Sequence, residues 1–302
     1  MNTVLPTTIP AYLAQLRKSL EGADAAMIQD ALYDAEEYLR AELAANPGKT
    51  EAQVIADVAG SYGAPEEVAD IYRDTEVTVQ TALRPPRPVK KADAEPSLLQ
   101  KIFGVFIDSR TYGALFYMLL SLATGIFYFT WTVTGAGLSL GLSILIIGLP
   151  FIVLFVGATR VLALVEGRLV EVMLGERMPR RPLYSDAELP LLKRIWSMFT
   201  DARTWGTFLY FLLMLPLGIA YFTIAVTGLS TSLALMFGPL VSLFNDNVMV
   251  INLSGEDIVS NEPWLIPIVM LGGLAVLLLT MHVARLIGRM HGLIAKNLLV
   301  KS

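Results

Sequence analysis

The sequence predicts an all-α protein: a multi-pass membrane helical bundle of two tandem two-span repeats, with a small soluble helical domain at the N-terminus. The first observation is a stretch that occurs twice. Residues 108–135 read DSRTYGALFYMLLSLATGIFYFTWTVTG, and residues 201–228 read DARTWGTFLYFLLMLPLGIAYFTIAVTG. Upstream, AEPSLLQKIFGVF from Ala94 answers AELPLLKRIWSMF from Ala187. Roughly half of the paired positions are identical without a gap, which marks an internal repeat rather than shared membrane composition. The second observation is the set of apolar runs that lifts the mean hydropathy of 302 residues to +0.57. The third is that the first part of the chain lacks such a run and patterns as ordinary amphipathic helices.

That first part, residues 1–82, is expected to form a cytoplasmic helical domain. Leu13, Leu16 and Leu20 are at helical spacing over residues 9–20. Asp24 is placed to cap a long helix over residues 25–45, with Met27, Ile28, Ala31, Leu32, Ala35, Leu39 and Leu43 forming its apolar stripe. Asn46-Pro47-Gly48 ends it, and Thr50 caps a third helix running to about Tyr62. Gly63 and Pro65 separate the third helix from a fourth, which is expected to turn Val68, Ile71 and Tyr72 inward. Glu36, Glu37, Glu42, Glu66, Glu67, Asp70 and Asp74 make this domain acidic. The acids form either a solvated surface or a docking face for a basic partner. They exclude direct nucleic-acid binding, which needs basic charge against phosphate.

Residues 83–93 are proline-rich and basic, an extended spacer beside a membrane surface. Membrane repeat one is assigned to residues 94–186 and repeat two to residues 187–302. Each opens with an amphipathic segment (Leu98, Leu99, Ile102, Phe103, Phe106; Leu191, Leu192, Ile195, Trp196, Phe199) that suits an interfacial helix. Spans are expected over residues 112–133, 140–165, 205–226 and 264–286, each sufficient for about 30 Å of hydrocarbon. Gly148-Leu149-Pro150 is expected to kink the second. Residues 229–244 suit a re-entrant or interfacial helix, or an extension of a span.

Charge sets the direction. Arg168, Arg177, Arg180, Arg181, Lys193 and Arg194 lie between the second and third spans, and Arg289, Lys296 and Lys301 follow the fourth. No Lys or Arg lies between the first and second spans or between the third and fourth. The positive-inside rule then puts both termini in the cytoplasm. The N-terminus also lacks a basic segment ahead of a long apolar core, so no secretory signal is expected.

No catalytic, cofactor or metal site is read. Cysteine is absent and histidine occurs only at 282 and 291, which excludes disulfides, thiolate chemistry and Cys-based metal sites. No carboxylate, lysine or histidine is expected near the middle of a span, against ion-coupled transport. The repeated polar groups inside the spans are Tyr128 and Thr130, and Tyr221 and Thr223, which serve helix packing or hold a lipid-like ligand. At the inner boundary, Asp108, Arg110, Asp201 and Arg203 are expected to cap spans and anchor to lipid phosphate, with Arg160 and Arg285 at the matching inner ends. An external insertion, residues 245–263, carries Asp246, Glu256, Asp257 and Glu262. The alternation over residues 248–253 and the turn residues Ser254-Gly255-Glu256-Asp257 suit a small hairpin, and the segment is either a solvated loop or a sensing element for a cationic ligand.

Two resemblances follow from these residues. Tyr12-Leu13-x-x-Leu16, Asp34-x-Glu36-Glu37, Val54-Ile55-Ala56-Asp57 and Tyr62-Gly63-Ala64-Pro65-Glu66-Glu67-Val68-Ala69 resemble the helical HAAS signalling domain, often encoded beside PadR-type regulators. That resemblance implies signalling through protein contact, with a PadR-type regulator as a partner. Over residues 96–300, the Arg-Thr-aromatic-Gly start, the Thr-Gly exit, Gly148-Leu149-Pro150 and Arg160-x-Leu162-Ala163 resemble a bacterial membrane sensor domain found ahead of histidine kinases or alone. No phosphoacceptor His box or ATP-binding glycine motif follows here, so the N-terminal domain would carry the output. The expected function is non-enzymatic signalling in the bacterial cytoplasmic membrane, without cofactor, with the lipid bilayer and a cytoplasmic protein as partners and room for a homo-oligomer. A transporter or transporter-accessory subunit is the alternative.

Overall fold

The computed structural model describes residues 6–83, 102–145, 148–180, 193, 196, 200–244, 252–253, 256–257 and 262–300. The N-terminal domain holds α1 (Ile9–Ser19), α2 (Ala25–Ala45), α3 (Glu51–Ser61) and α4 (Pro65–Leu83). Thr8, Asp24 and Thr50 cap the first three, and Thr50 forms a reciprocal capping box with Gln53. A 3-10 turn (Gly104–Phe106) precedes α5 (Ser109–Leu142). Then come α6 (Gly148–Leu174), α7 (Ala202–Ser242) and α8 (Ile266–Leu299). These four helices are long and apolar enough to cross a membrane, so the fold is a helical membrane bundle with a helical N-terminal domain.

The chain divides into two compact units. The first comprises Met1–Arg84, Thr134–Tyr210 and Leu293–Ser302. Within it the N-terminal domain has a closed apolar core: Ile9, Tyr12, Leu16, Leu20, Met27, Ala31, Leu39, Val54, Ile55, Val58 and Val68 are buried together. The buried Tyr12 hydroxyl donates to the Gly63 carbonyl at 2.7 Å and the half-buried Tyr72 donates to Asp34 at 2.8 Å, so both phenols are satisfied. Ile71 departs from expectation. It is 58 % exposed, because Val68, Ala69 and Tyr72 already define the inward side of α4.

The second unit comprises Pro85–Val133 and Phe211–Gly292. Here α5 and α7 touch backbone to backbone. A Cβ on Gly125 would stand 2.4 Å from the Met214 carbonyl oxygen, and one on Gly218 would stand 2.2 Å from that of Ser121. Small residues permit this approach, the usual means of packing helices in a medium without a hydrophobic drive. Beside it Met118, Tyr221, Ala225 and Ala284 form a buried apolar cluster.

Two boundaries differ from expectation. Pro150 occupies the first turn of α6, where no intrahelical N–H is required, so it starts that helix instead of kinking it. Residues 140–142 belong to α5, not to the second span. Residues 229–242 continue α7, which runs through Pro216 and Pro239, so this stretch is an extension of the third span helix. In the segment 245–263, Asn252 pairs with Asp257 and Leu253 with Glu256 as a minimal antiparallel hairpin. Much of both expected interfacial helices, and the basic linker, lies outside the described residues. At the described positions Phe103 and Trp196 are exposed.

Candidate functional site

Among the described residues, the densest polar site is built around Arg177 in the first unit. Gly175, at φ 74°, ends α6 in the left-handed conformation and donates to the Glu171 carbonyl at 3.1 Å. The chain then leaves the helix as Glu176-Arg177-Met178-Pro179-Arg180 and meets the N-terminal domain. The Arg177 guanidinium is 3.0 Å from Asp30 on α2 and 3.3 Å from Glu76 on α4, and 3.5 Å from Glu171 on its own α6. It also donates to the Met178 carbonyl at 2.6 Å. Asp30 is used twice, because its second oxygen accepts the Arg180 N–H at 2.6 Å. Arg177 is 8 % exposed, with Asp30 at 5 %, Glu76 at 7 % and Glu171 at 4 %. Burial works against the guanidinium's charge, but Asp30, Glu76 and Glu171 outweigh it and hold its pKa above the ordinary arginine value. Around this hub, Arg203 donates to Gln29 at 3.0 Å, Lys296 pairs with Asp24, and Arg168 and Arg180 pair with Glu171.

The residues expected at the inner boundary meet in pairs. Asp201 accepts the Arg203 N–H at 3.1 Å as a helix cap and faces Arg160 at 3.4 Å, while Arg160 also donates to Thr204 at 3.1 Å. In the second unit Asp108 accepts the Arg110 N–H at 3.2 Å and faces Arg285 at 3.3 Å. Asp108 and Asp201 thus each accept the N–H two residues on, at the starts of α5 and α7. Arg203, however, is turned to Gln29 of the N-terminal domain.

Tyr128 and Tyr221 are buried, while Thr130 and Thr223 are exposed. Residues two apart on a helix face opposite sides, so each Tyr-x-Thr set is split rather than gathered. The Tyr128 ring stacks on Phe211 at 4.3 Å, and Tyr221 stands edge-on to His291 at 5.6 Å. Two polar pairs escaped the sequence reading. In the second unit the Tyr117 hydroxyl lies 2.6 Å from His291 Nε2, and in the first unit Tyr210 donates to Glu166 at 2.8 Å. Glu166 and His291 are fully buried, on α6 and α8, which run past the predicted spans. His282 lies midway along α8, exposed, 3.3 Å from the Ile102 carbonyl. Glu166 and His291 lie beyond the ends of the predicted spans 140–165 and 264–286, and His282 lies near the end of the latter, so none of the three stands at the middle of a predicted span. The missed signal was present: Arg160 and Arg285 are followed at equal spacing by Gly167 and Gly292, and Glu166 and His291 stand directly before those glycines.

Of the four acids assigned to residues 245–263, Glu262 is exposed and accepts from the Trp264 indole at 2.8 Å. Glu256 and Asp257 form the second hairpin strand, and Asp246 lies outside the described residues.

Comparison with known families gives one match: residues 117–299, more than half of the chain, fit the family described as "Putative sensor". No curated protein and no solved structure matches the chain. With four membrane-length helices and this match over them, the chain belongs to that sensor family of membrane proteins.

Proposed function

We propose that this chain is a non-enzymatic bacterial sensor of the cytoplasmic membrane that relays a membrane or external stimulus to a cytoplasmic protein through its N-terminal domain. The observation that carries this is how that domain is attached. Its apolar core closes without help from the span helices. The named contacts that hold it to the ends of α6, α7 and α8 are polar: Arg177 with Asp30 and Glu76, the Arg180 N–H with Asp30, Arg203 with Gln29, and Lys296 with Asp24. Buried ion pairs contribute little net stability against their desolvation cost, so such a joint suits reversible attachment better than an apolar one does. The basic ends of α6 and α8 meet this acidic domain on the side that the positive-inside rule assigns to the cytoplasm, with both termini there.

The relay begins in the packing of the spans. Recurrent pairs support a tandem duplication in which each second span holds the first span of the other copy: Asp201 with Arg160 and Asp108 with Arg285, Tyr210 with Glu166 and Tyr117 with His291. A shift of α7 acts on α6 through Tyr210–Glu166 and Asp201–Arg160, and α6 ends beside Arg177. The released domain then meets its partner. The HAAS resemblance supports a protein-binding role and a PadR-type regulator as that partner.

Hydrogen exchange of the Arg180 amide tests the relay, since that N–H is held by Asp30 only while the domain is seated. In lipid nanodiscs, Gly218→Ala, which disturbs α5 against α7, should speed exchange at Arg180 while the core amides of α2 stay protected. Unchanged Arg180 protection in a variant whose span packing is measurably loosened would contradict the relay.

A further inference from the structure

The joint around Arg177 also has the form of a recognition site, and this inference rests on the sensor reading above. We infer that the face of the N-terminal domain formed by Asp30 and Glu76 is its partner-binding surface, that residues 176–180 occupy it in cis as a stand-in, and that the partner presents an arginine-bearing extended segment of the same pattern.

Three features point beyond a structural ion pair. First, the acids come from two helices, α2 and α4, and converge on one guanidinium through different nitrogens, Nη2 to Asp30 and Nε to Glu76. That is a fork arrangement which arginine fills and lysine, a point charge, does not. Second, Asp30 reads main chain as well as side chain. One oxygen takes the guanidinium and the other takes the N–H three residues later, at Arg180. The pattern is therefore an arginine followed at the third position by any residue but proline, which has no N–H to give. Third, the occupant is a segment outside secondary structure, released from α6 by Gly175, while the receptor belongs to a domain with a closed core. Extended segments docking on preformed acids can be exchanged for another chain without refolding either body. The Arg180 side chain turns back to Glu171, 3.6 Å away, so the face needs only one arginine from its occupant.

The cis segment is tethered, and its effective concentration keeps the face filled. An external segment therefore binds weakly until the tethered one leaves. The probe is a fluorescent peptide with the sequence of residues 174–181, LGERMPRR, added to the full chain in nanodiscs. Arg177→Ala, which vacates the face, should bind the peptide at least ten-fold more tightly than the wild type. Adding Asp30→Asn should return binding to the wild-type level. A peptide with lysine in place of its first arginine, or proline in place of its second, should bind Arg177→Ala about ten-fold more weakly. Arg177→Lys keeps the charge but not the fork, and serves as a milder vacated form, with circular dichroism showing that each variant retains its helices. Equal peptide binding by wild type and both vacated forms, or binding indifferent to Asp30→Asn, overturns the inference. Exchange at the Arg180 amide in the same preparations separates the two claims. Fast exchange without peptide binding removes this partner surface and leaves the relay standing, whereas slow exchange in Arg177→Ala removes the seat on which both depend.

Discussion

Arg177 is nearly buried and still charged because three carboxylates surround it. Removing one partner of such a cluster leaves uncompensated buried charge, which costs about 3–5 kcal/mol. Arg177→Ala should therefore weaken seating of the N-terminal domain by about that amount, and Asp30→Asn with Glu76→Gln added to it should recover part of the loss. A double-mutant cycle on Arg180 amide exchange measures both. The domain's phenols give a pH dependence of definite sign. Burial first, then the charges of Tyr62, Glu66 and Glu67, raises Tyr12. Burial and the Asp34 hydrogen bond raise Tyr72, and burial with the Asp34 charge raises Tyr62. A raised folded pKa favours the protonated form, so their contribution is whole below about pH 10, the ordinary tyrosine value, and drains away as pH climbs through the folded values. Absorbance at alkaline pH should show a group of tyrosines ionising only as this domain unfolds; a single titration near the ordinary value would refute this. The sequence disclosed the caps and the core stripe of this domain, because those signals are local. It disclosed nothing of Arg177 with Asp30 and Glu76, since each is an ordinary surface charge until distant segments meet.

At the scale of elements, the helices overrun the apolar windows that predicted them. Hydropathy marks the part of a helix in hydrocarbon, about 20 residues, whereas α5 and α8 each extend to 34 and α7 to 41. Glu166 and His291 lie in such overruns, outside the apolar windows that hydropathy marks. Pro150 misled for a related reason: only its place in the first turn of α6 decides whether it breaks or begins a helix. The contact of α5 with α7 makes a sharp prediction. Gly218→Ala and Gly125→Ala each drive a methyl into a backbone carbonyl and should destabilise the bundle by about 1–3 kcal/mol. Gly137→Ala in α5 meets nothing within 4 Å and should be neutral or stabilising, by up to about 1 kcal/mol. Thermal unfolding in detergent distinguishes them. Likewise His291→Ala strips the buried Tyr117 hydroxyl of its imidazole and should cost about 1–3 kcal/mol.

For the whole molecule, the central claim is that a self-sufficient acidic domain sits on the basic ends of the span helices and can leave. The acidic composition and the positive-inside pattern made both halves of that joint legible in the sequence as separate charges. An extended linker was the expected connection between them, and the direct seat on residues 176–180 is the structure's addition. The chain contains no cysteine, so a labelled pair can be introduced cleanly. The most direct measurement is the spin-label distance between Glu37→Cys and Val172→Cys, both exposed and both in the first unit, in lipid nanodiscs. The wild-type background should give one narrow distribution, and Arg177→Ala should broaden it and shift it to longer distances with helicity unchanged. A distribution that stays equally narrow at the same distance without Arg177 would contradict a releasable seat.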